Sequence, residues 1–225
     1  MVAEMIGSAL LLAAVVGSGI MGERLAGGNV AIALLANTLA TGATLVALIL
    51  TFGPISGAHL NPAVTLADAW QGGLPWHEVP GYIAAQLGGA FLGVAAAHLM
   101  FGEPVFHASK HVRAGGAQIF SEFVATFGLL AVIWGCTRLR QSSPMPASPV
   151  AFAVGAYITG AYWFTASTSF ANPAVTLARS VSDTFAGIRP QDAPGFILAQ
   201  LAGACAATLL FRWLAPSQIE ATYEG

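Results

Sequence analysis

The chain has 225 residues, of which 56% are hydrophobic and 8% are charged, and 26 of them are glycine. This composition is too apolar for a soluble domain of this length and is typical of a helical membrane protein, whose main partner is lipid. Eight Lys and Arg residues and a net charge of −2 exclude a basic surface for nucleic acid.

Six stretches are long and apolar enough to cross a bilayer, which takes about 20 residues as a helix. The first has Glu4 where a signal peptide carries basic residues, so we interpret it as a retained span. The connections are short, which predicts an all-α membrane protein with one domain over residues 1–225. The predicted spans are residues 3–21, 30–52, 80–101, 118–137, 149–166 and 194–214.

Two shorter segments, residues 61–71 and 172–182, begin with the same seven residues, Asn-Pro-Ala-Val-Thr-Leu-Ala. In each, Pro lies in the first helical turn, where its missing N–H has no partner to lose. The preceding residues, Asn61 and Asn172, are good helix caps. Because both segments are too short to span the membrane, the sequence predicts two half-helices that enter from opposite faces.

The chain contains an internal repeat, with one copy over about residues 1–101 and the other over about 118–214. Each copy has a helix with an early Glu, a second helix, a half-helix and a third helix with a Gln. Three spans per copy is an odd number, so the second copy is inverted in the membrane. Irregular backbone at membrane depth is tolerated only where it is buried or lines a watery cavity, so the two half-helices predict a pore.

The repeat pairs Glu4 with Glu122 and Gln86 with Gln200. Two roles are open for the acids, a proton relay and a structural acceptor for loop N–H groups. We favour the structural role, because the acids occupy equivalent places and nothing continues a relay.

At this point the sequence resembles the aquaporin and aquaglyceroporin family of membrane channels. The resemblance rests on residues 56–60, the Glu and Gln pairs, and two Asn-Pro-Ala motifs at inverted-repeat spacing; the motif residues are Asn61, Pro62, Ala63, Asn172, Pro173 and Ala174. It implies a homotetramer with one pore per subunit in a bacterial inner membrane, with cytoplasmic termini and passive movement of neutral solutes. The distribution of positive charge does not itself settle the orientation.

The proposed pore can also be argued from physics. Each half-helix N-terminus carries roughly +0.5 elementary charge, which penalises cations, and the Asn amides offer hydrogen-bond donors to a solute. Further candidates for the pore lining or its vestibules are His59, Val64, Asp68 and Arg179. His59 either lines the path or braces the half-helix, and for Asp68 and Arg179 we favour solvated side chains near the membrane surface.

The family has a second constriction, usually with an Arg after the second Asn-Pro-Ala and an aromatic residue on the second helix. Ungapped counting places Thr41, Gly160, Ser169 and Val175 at its four positions. This set predicts a wide, uncharged filter. Val in place of the Arg resembles a bacterial branch associated with arsenic resistance, which implies arsenite as neutral As(OH)3, glycerol and water as solutes.

A secondary transporter is the alternative, since inverted repeats with broken helices also occur there. A water-selective channel is disfavoured by the filter. An enzyme is not expected, because the spans hold no Ser/His or paired-Asp arrangement. No cofactor or metal site is predicted, and Cys136 and Cys205 are interpreted as apolar packing residues.

Overall fold

The computed structural model describes residues 1–141 and 148–214, so the predicted domain's residues 142–147 and 215–225 lie outside the described part. The described residues form α-helices joined by loops and one short 3₁₀ turn, Pro190–Asp192. The helices are α1 (Val2–Leu25), α2 (Val30–Ser56), α3 (Pro62–Trp70), α4 (Val79–Phe101), α5 (Gly116–Gln141), α6 (Ser148–Phe164), α7 (Pro173–Arg179) and α8 (Ala193–Leu214).

Each of the six predicted spans corresponds to one long helix, and each predicted half-helix to a short one. Within the described residues, five helices are long and apolar enough to cross a membrane, namely α1, α2, α4, α5 and α8. The sixth, α6, has 17 residues and packs against α2 and α5. The half-helices α3 and α7 have nine and seven residues, which is too short to span a bilayer.

The two repeats use the same close helix contact. Helix α4 packs along α1, and α8 packs along α5. Gly89 of α4 lies against the carbonyl of Met5, and its repeat counterpart, Gly203 of α8, lies against the carbonyl of Phe123. A side chain at either glycine would collide with that backbone, so the small residue is what permits the two helices to approach.

The half-helices interlock the repeats. Ala174 and Val175 of α7 are packed in the hydrophobic core that α1 and α4 build. Ala63 and Val64 of α3 are packed in the core of α5, α6 and α8. Each half-helix therefore contributes to the core of the other repeat, and this exchange holds the two N-termini against each other.

The long helices α1, α2, α4, α5, α6 and α8 run across the bundle in alternating directions. Because they are six, the start of α1 and the end of α8 lie on one face of the helix bundle, which we call the terminal side. The opposite face, where α1 ends and α5 begins, is the far side. The loop before α3 descends from the terminal side and the loop before α7 from the far side, so α3 and α7 meet inside the bundle.

Candidate functional site

Asn61 and Asn172 join the half-helices at the centre of the molecule. The Asn61 amide nitrogen donates to the carbonyl of Ala171 at 2.7 Å, and that of Asn172 donates to the carbonyl of Leu60 at 2.8 Å. Their side-chain oxygens cap α3 and α7 by accepting from backbone N–H groups of Ala63 and of Ala174. An amide nitrogen has two hydrogens, so one donor of each Asn remains for the pore.

The loops that lead into α3 and α7 have the same backbone conformation. Left-handed φ values occur one and three residues before each Asn, at Leu60 (49°) and Ala58 (48°) and at Ala171 (48°) and Ser169 (50°). This conformation costs roughly 1–2 kcal/mol per residue for an L-amino acid, so contacts elsewhere must hold the loops in place.

Glu4 provides these contacts for the first loop. Its carboxylate is fully buried and accepts from the backbone N–H of His59 at 3.0 Å and of Leu60 at 2.7 Å. It also accepts from the hydroxyl of Ser56 at 2.6 Å and from the side-chain amide of Gln86 at 2.8 Å. Glu4 is thus a structural acceptor in its observed contacts.

Glu122 repeats this arrangement in the second loop. It is fully buried and accepts from the backbone N–H of Phe170 at 2.9 Å and of Ala171 at 2.8 Å. The side-chain amide of Gln200 donates to Glu122 at 2.6 Å and to the hydroxyl of Thr176 at 2.9 Å. The four residues that the repeat pairs therefore hold two equivalent loops.

A cavity of about 690 Å³ runs past both half-helices. It touches Asn61 and Asn172, together with residues 57–60 and 170–171 of the loops before them. Much of its wall is aliphatic, including Leu11, Val15, Leu45, Ile49, Leu129, Ile133, Val154 and Ile158. A polar solute therefore meets hydrogen-bonding groups on one side and an apolar wall on the other.

The terminal-side part of the cavity is lined by His59, Val64 and Asp68. Nδ1 of His59 lies 3.2 Å from the hydroxyl of Thr65, and Nε2 lies 3.6 Å from a carboxylate oxygen of Asp68. His59 thus both lines the path and contacts α3. The Asp68 side chain is 26% exposed, so it borders the cavity rather than standing free in solvent.

The far-side part of the cavity contains two of the four predicted filter residues, Thr41 and Val175. Two aromatic residues join them, Tyr162 from α6 and Phe170 from the loop before α7. The Tyr162 hydroxyl donates to the hydroxyl of Thr41 at 3.3 Å. Aromatic side chains therefore occupy space that the sequence analysis left to small residues.

The assignments of Gly160 and Ser169 to the filter are wrong. Gly160 is exposed on the outer face of α6 and does not line the cavity, whereas Ile158 and Tyr162 do. A helix turns about 100° per residue, so positions four apart share a face and a residue midway between them points away. Ser169 is buried in the loop and does not line the cavity either.

The expectation of a solvated Arg179 is also wrong, and with it the uncharged filter. Arg179 is only 2% exposed and lines the cavity with Val175. Its Nε donates to the carbonyl of Ala186, and its guanidinium carbon lies 3.3 Å from the centre of the Phe170 ring. The cavity and the aromatic ring accommodate the cation, which agrees with its place among the vestibule candidates but not with the solvated position that the sequence favoured.

Comparisons with known proteins agree with this geometry. The family model described as "Major intrinsic protein" matches residues 1–159 and 139–224. The chain is 54% identical over 213 residues to aquaglyceroporin AqpS of Rhizobium meliloti (strain 1021), covering 95% of this chain and 88% of the relative. The chain belongs to the major intrinsic protein family.

A further relative agrees with this assignment, and a solved structure agrees with the fold. Aquaglyceroporin-3 of Trypanosoma brucei brucei is 34% identical over 186 residues, which cover 70% of this chain and 60% of the relative. The X-ray structure of the aquaglyceroporin from Plasmodium falciparum superposes with a TM-score of 0.70 at 21% identity, covering 93% of this chain and 91% of that one. The aquaporin fold predicted from the sequence is confirmed, and the protein is a membrane channel of the aquaglyceroporin type.

Besides the aromatic residues Tyr162 and Phe170, sequence reasoning missed a charged residue near the pore of this major intrinsic protein, Arg113. Only 8% of it is exposed, and its Nε donates to the carbonyl of Gly187 at 2.8 Å. Its Nη1 donates to the carbonyl of Ser167 at 3.0 Å, and its guanidinium carbon lies 5.0 Å from the centre of the Phe170 ring. Burial lowers the pKa of Arg113 to about 10, so it stays charged at neutral pH.

The loop that carries Arg113, between α4 and α5, lies along the loop after α7. His107 donates a backbone hydrogen bond to Val181 at 3.0 Å, and Arg189 donates one to His111 at 2.8 Å. These contacts turn Arg113 inward, toward the loop before α7. They join segments far apart in the sequence, so no local pattern indicated that Arg113 is buried.

Proposed function

We propose that the protein is a passive, bidirectional channel for small neutral solutes, chiefly arsenite as As(OH)3 and glycerol, with water. The observation that carries the proposal is the cavity that touches both Asn61 and Asn172. Among the described residues that line it, the acidic and basic side chains are His59 and Asp68 toward the terminal side and Arg179 toward the far side. The part between them is uncharged and suits a solute without charge.

The central Asn residues give a reason for the choice of solute. Each has one amide hydrogen left after bonding to the opposite loop, as described above. A hydroxyl oxygen that accepts from Asn61 or Asn172 regains part of its lost hydration, while the aliphatic wall binds nothing tightly enough to stop flow. Glycerol and As(OH)3 both carry three hydroxyl groups and no charge at neutral pH, so the same contacts serve both.

The half-helices favour neutral solutes over cations. The N-termini of α3 and α7 meet at the centre, and each helix end carries roughly +0.5 elementary charge. A cation at this point loses hydration and meets positive potential. A neutral solute loses less and is not repelled, which supports passive flux rather than coupled transport.

We also propose that the channel works as a homotetramer in a bacterial inner membrane, with the terminal side in the cytoplasm. Large apolar side chains cover the outside of the helix bundle, among them Leu35, Leu39, Phe152, Trp163 and Leu198. Such faces require lipid or neighbouring copies as cover. Mass measurement of the detergent-extracted protein tests the tetramer, and a monomeric mass would contradict it.

Val175→Arg tests the solute pathway. Val175 borders the far-side part of the cavity and is 5% exposed, so a longer side chain there must project into the path. We expect glycerol-driven swelling and arsenite uptake by proteoliposomes to fall roughly tenfold, because selectivity depends on pore diameter. Val175→Ala, which removes volume, is the matched control and should not lower either rate. Unchanged glycerol and arsenite flux in Val175→Arg would contradict the pathway.

A further inference from the structure

Arg179 presents unused hydrogen-bond donors to the cavity. A guanidinium group has five N–H donors. In Arg179 the Nε donor is bonded to the carbonyl of Ala186. Among the described residues, no acceptor is bonded to its two terminal nitrogens, and the residue lines the cavity. These nitrogens are therefore available to a solute.

The position of Arg179 on α7 directs its side chain toward the constriction. Arg179 follows Val175 by four residues, about one helical turn. Side chains lean toward the N-terminus of their helix, so Arg179 reaches back toward Val175. The Phe170 ring, which precedes α7 in the chain, lies 3.3 Å from the guanidinium carbon. The charge thus lies nearer the start of α7 than its residue number indicates.

Among the described side chains, no carboxylate is bonded to this charge, although the buried Glu122 attracts it from a distance. Among residues 1–137 and 149–214, neither Arg179 nor Arg113 forms a salt bridge. The acceptors bonded to the Arg113 guanidinium are neutral oxygens, and the two guanidinium groups both contact the Phe170 ring. Burial lowers the pKa of His111 in the neighbouring loop, and the positive charges of Arg113 and Arg179 lower it further.

An unpaired buried cation in a membrane domain is costly unless it faces a water-filled cavity. Arg179 lines the cavity, whereas the constriction position that usually carries Arg in this family holds Val175. We propose that Arg179 is the fixed cation of this pore and a specificity-determining residue, with its terminal N–H groups donating to solute hydroxyls and its charge repelling cations. This inference rests on the proposed channel function.

Phe170 and Arg113 are positioning residues in this arrangement. Phe170 contacts the Arg179 guanidinium through its ring face. Arg113 donates to the carbonyl of Ser167, in the loop that carries Phe170, and to the carbonyl of Gly187, and so links that loop to the loop after α7. Relocating the Arg by one turn keeps the charge, while the smaller side chain of Val175 leaves more open space at its own position. Selectivity then combines a wider passage with a retained barrier to cations.

The decisive measurement compares cation leak with glycerol flux in proteoliposomes that contain Arg179→Gln. A unit charge about 6 Å from a solute, at an effective dielectric constant of about 20, changes an ion's occupancy on the order of 100-fold. We expect the ratio of sodium leak to glycerol flux to rise by that factor. Arg24→Gln is the matched control, because Arg24 is an exposed far-side residue bonded to Glu103; it should leave the ratio unchanged.

Two further variants keep the test decisive if Arg179→Gln does not assemble. Arg179→Lys retains the charge and should stay tight to sodium. The double variant Arg179→Val with Val175→Arg moves the charge back by one turn and should also stay tight. A sodium leak in both of these variants, or an Arg179→Gln channel that does not leak sodium, would overturn the inference. Absence of glycerol flux in the wild-type protein would instead overturn the proposed function.

Discussion

The two halves of the molecule share the buried acids that hold the loops before the half-helices. They differ in side chains that these loops and half-helices carry. Glu4 and Glu122 accept equivalent loop N–H groups. Two residues before the central Asn, however, the first half has His59 where the second has Phe170. Seven residues after it, the first half has Asp68 and the second has Arg179.

In each half, the side chains at these two positions contact each other, but the charge that they bring to the cavity has the opposite sign. His59 lies 3.6 Å from Asp68 on the terminal side, and Phe170 lies against Arg179 on the far side. One pair brings an acid to the cavity and the other brings a cation. The comparison indicates that the repeat fixes where a side chain reaches the pore, while the residue type at that place sets the local charge.

Removing the shared buried acids, Glu4 and Glu122, should have the largest effect, and this effect is on stability. In Glu122→Ala, the buried donors of Phe170, Ala171 and Gln200 lose their acceptor. Each unsatisfied buried donor costs about 1–3 kcal/mol, so we expect a loss on the order of 5 kcal/mol in the free energy of unfolding. Glu4→Ala should cost about the same if the halves are equivalent.

Unfolding in detergent, followed by circular dichroism, measures both losses. The isosteric variants Glu4→Gln and Glu122→Gln are the controls and should recover part of the stability, because a Gln oxygen still accepts hydrogen bonds. A stability loss confined to one half would contradict the shared role of these acids.

Exchanging the charges that differ should have the next largest effect, now on selectivity. Arg179→Asp gives both parts of the cavity an acid, and we expect its sodium leak to exceed that of Arg179→Gln by roughly tenfold, because an attractive charge replaces a neutral one. Conductance across planar bilayers measures this leak. Asp68→Asn is the control on the terminal side and should not raise it. Equal leak in the Asp and Gln variants of Arg179 would show that local charge does not set selectivity.

The smallest effect is expected at the aromatic wall. Tyr162→Phe keeps the ring but removes the hydroxyl that donates to Thr41 at 3.3 Å. One hydrogen bond contributes about 1 kcal/mol, so stability should fall by no more than that and glycerol flux should change less than about twofold. Tyr162→Ala opens the wall and should change flux more. A larger flux change in Tyr162→Phe than in Tyr162→Ala would mean that the hydroxyl, not the ring, shapes the path.

The sequence was sufficient for features that depend on local pattern and repetition. The apolar stretches predicted the long helices, Pro62 and Pro173 predicted the starts of the half-helices, and identical Asn-Pro-Ala motifs predicted that they are equivalent. The paired Glu and Gln residues were found for the same reason, since each occupies one place in both copies.

The far-side constriction was harder to predict because it depends on helix phase and tertiary contacts. Counting without gaps selected Gly160, although Ile158 and Tyr162 define the inward face of α6. Arg179 was expected in solvent because it lies at the end of a half-helix. Its burial depends on the Phe170 ring and the loop after α7, which are tertiary contacts. Residue type alone carries neither piece of information.

The most direct test of the proposed function is the rate at which the wild-type protein in liposomes passes glycerol and arsenite as the solute gradient is raised. We expect both rates to exceed those of empty liposomes, to rise in proportion to the gradient and to be unaffected by a proton gradient. Saturation at low solute concentration, or flux that follows the proton gradient, would contradict a passive channel and favour a carrier.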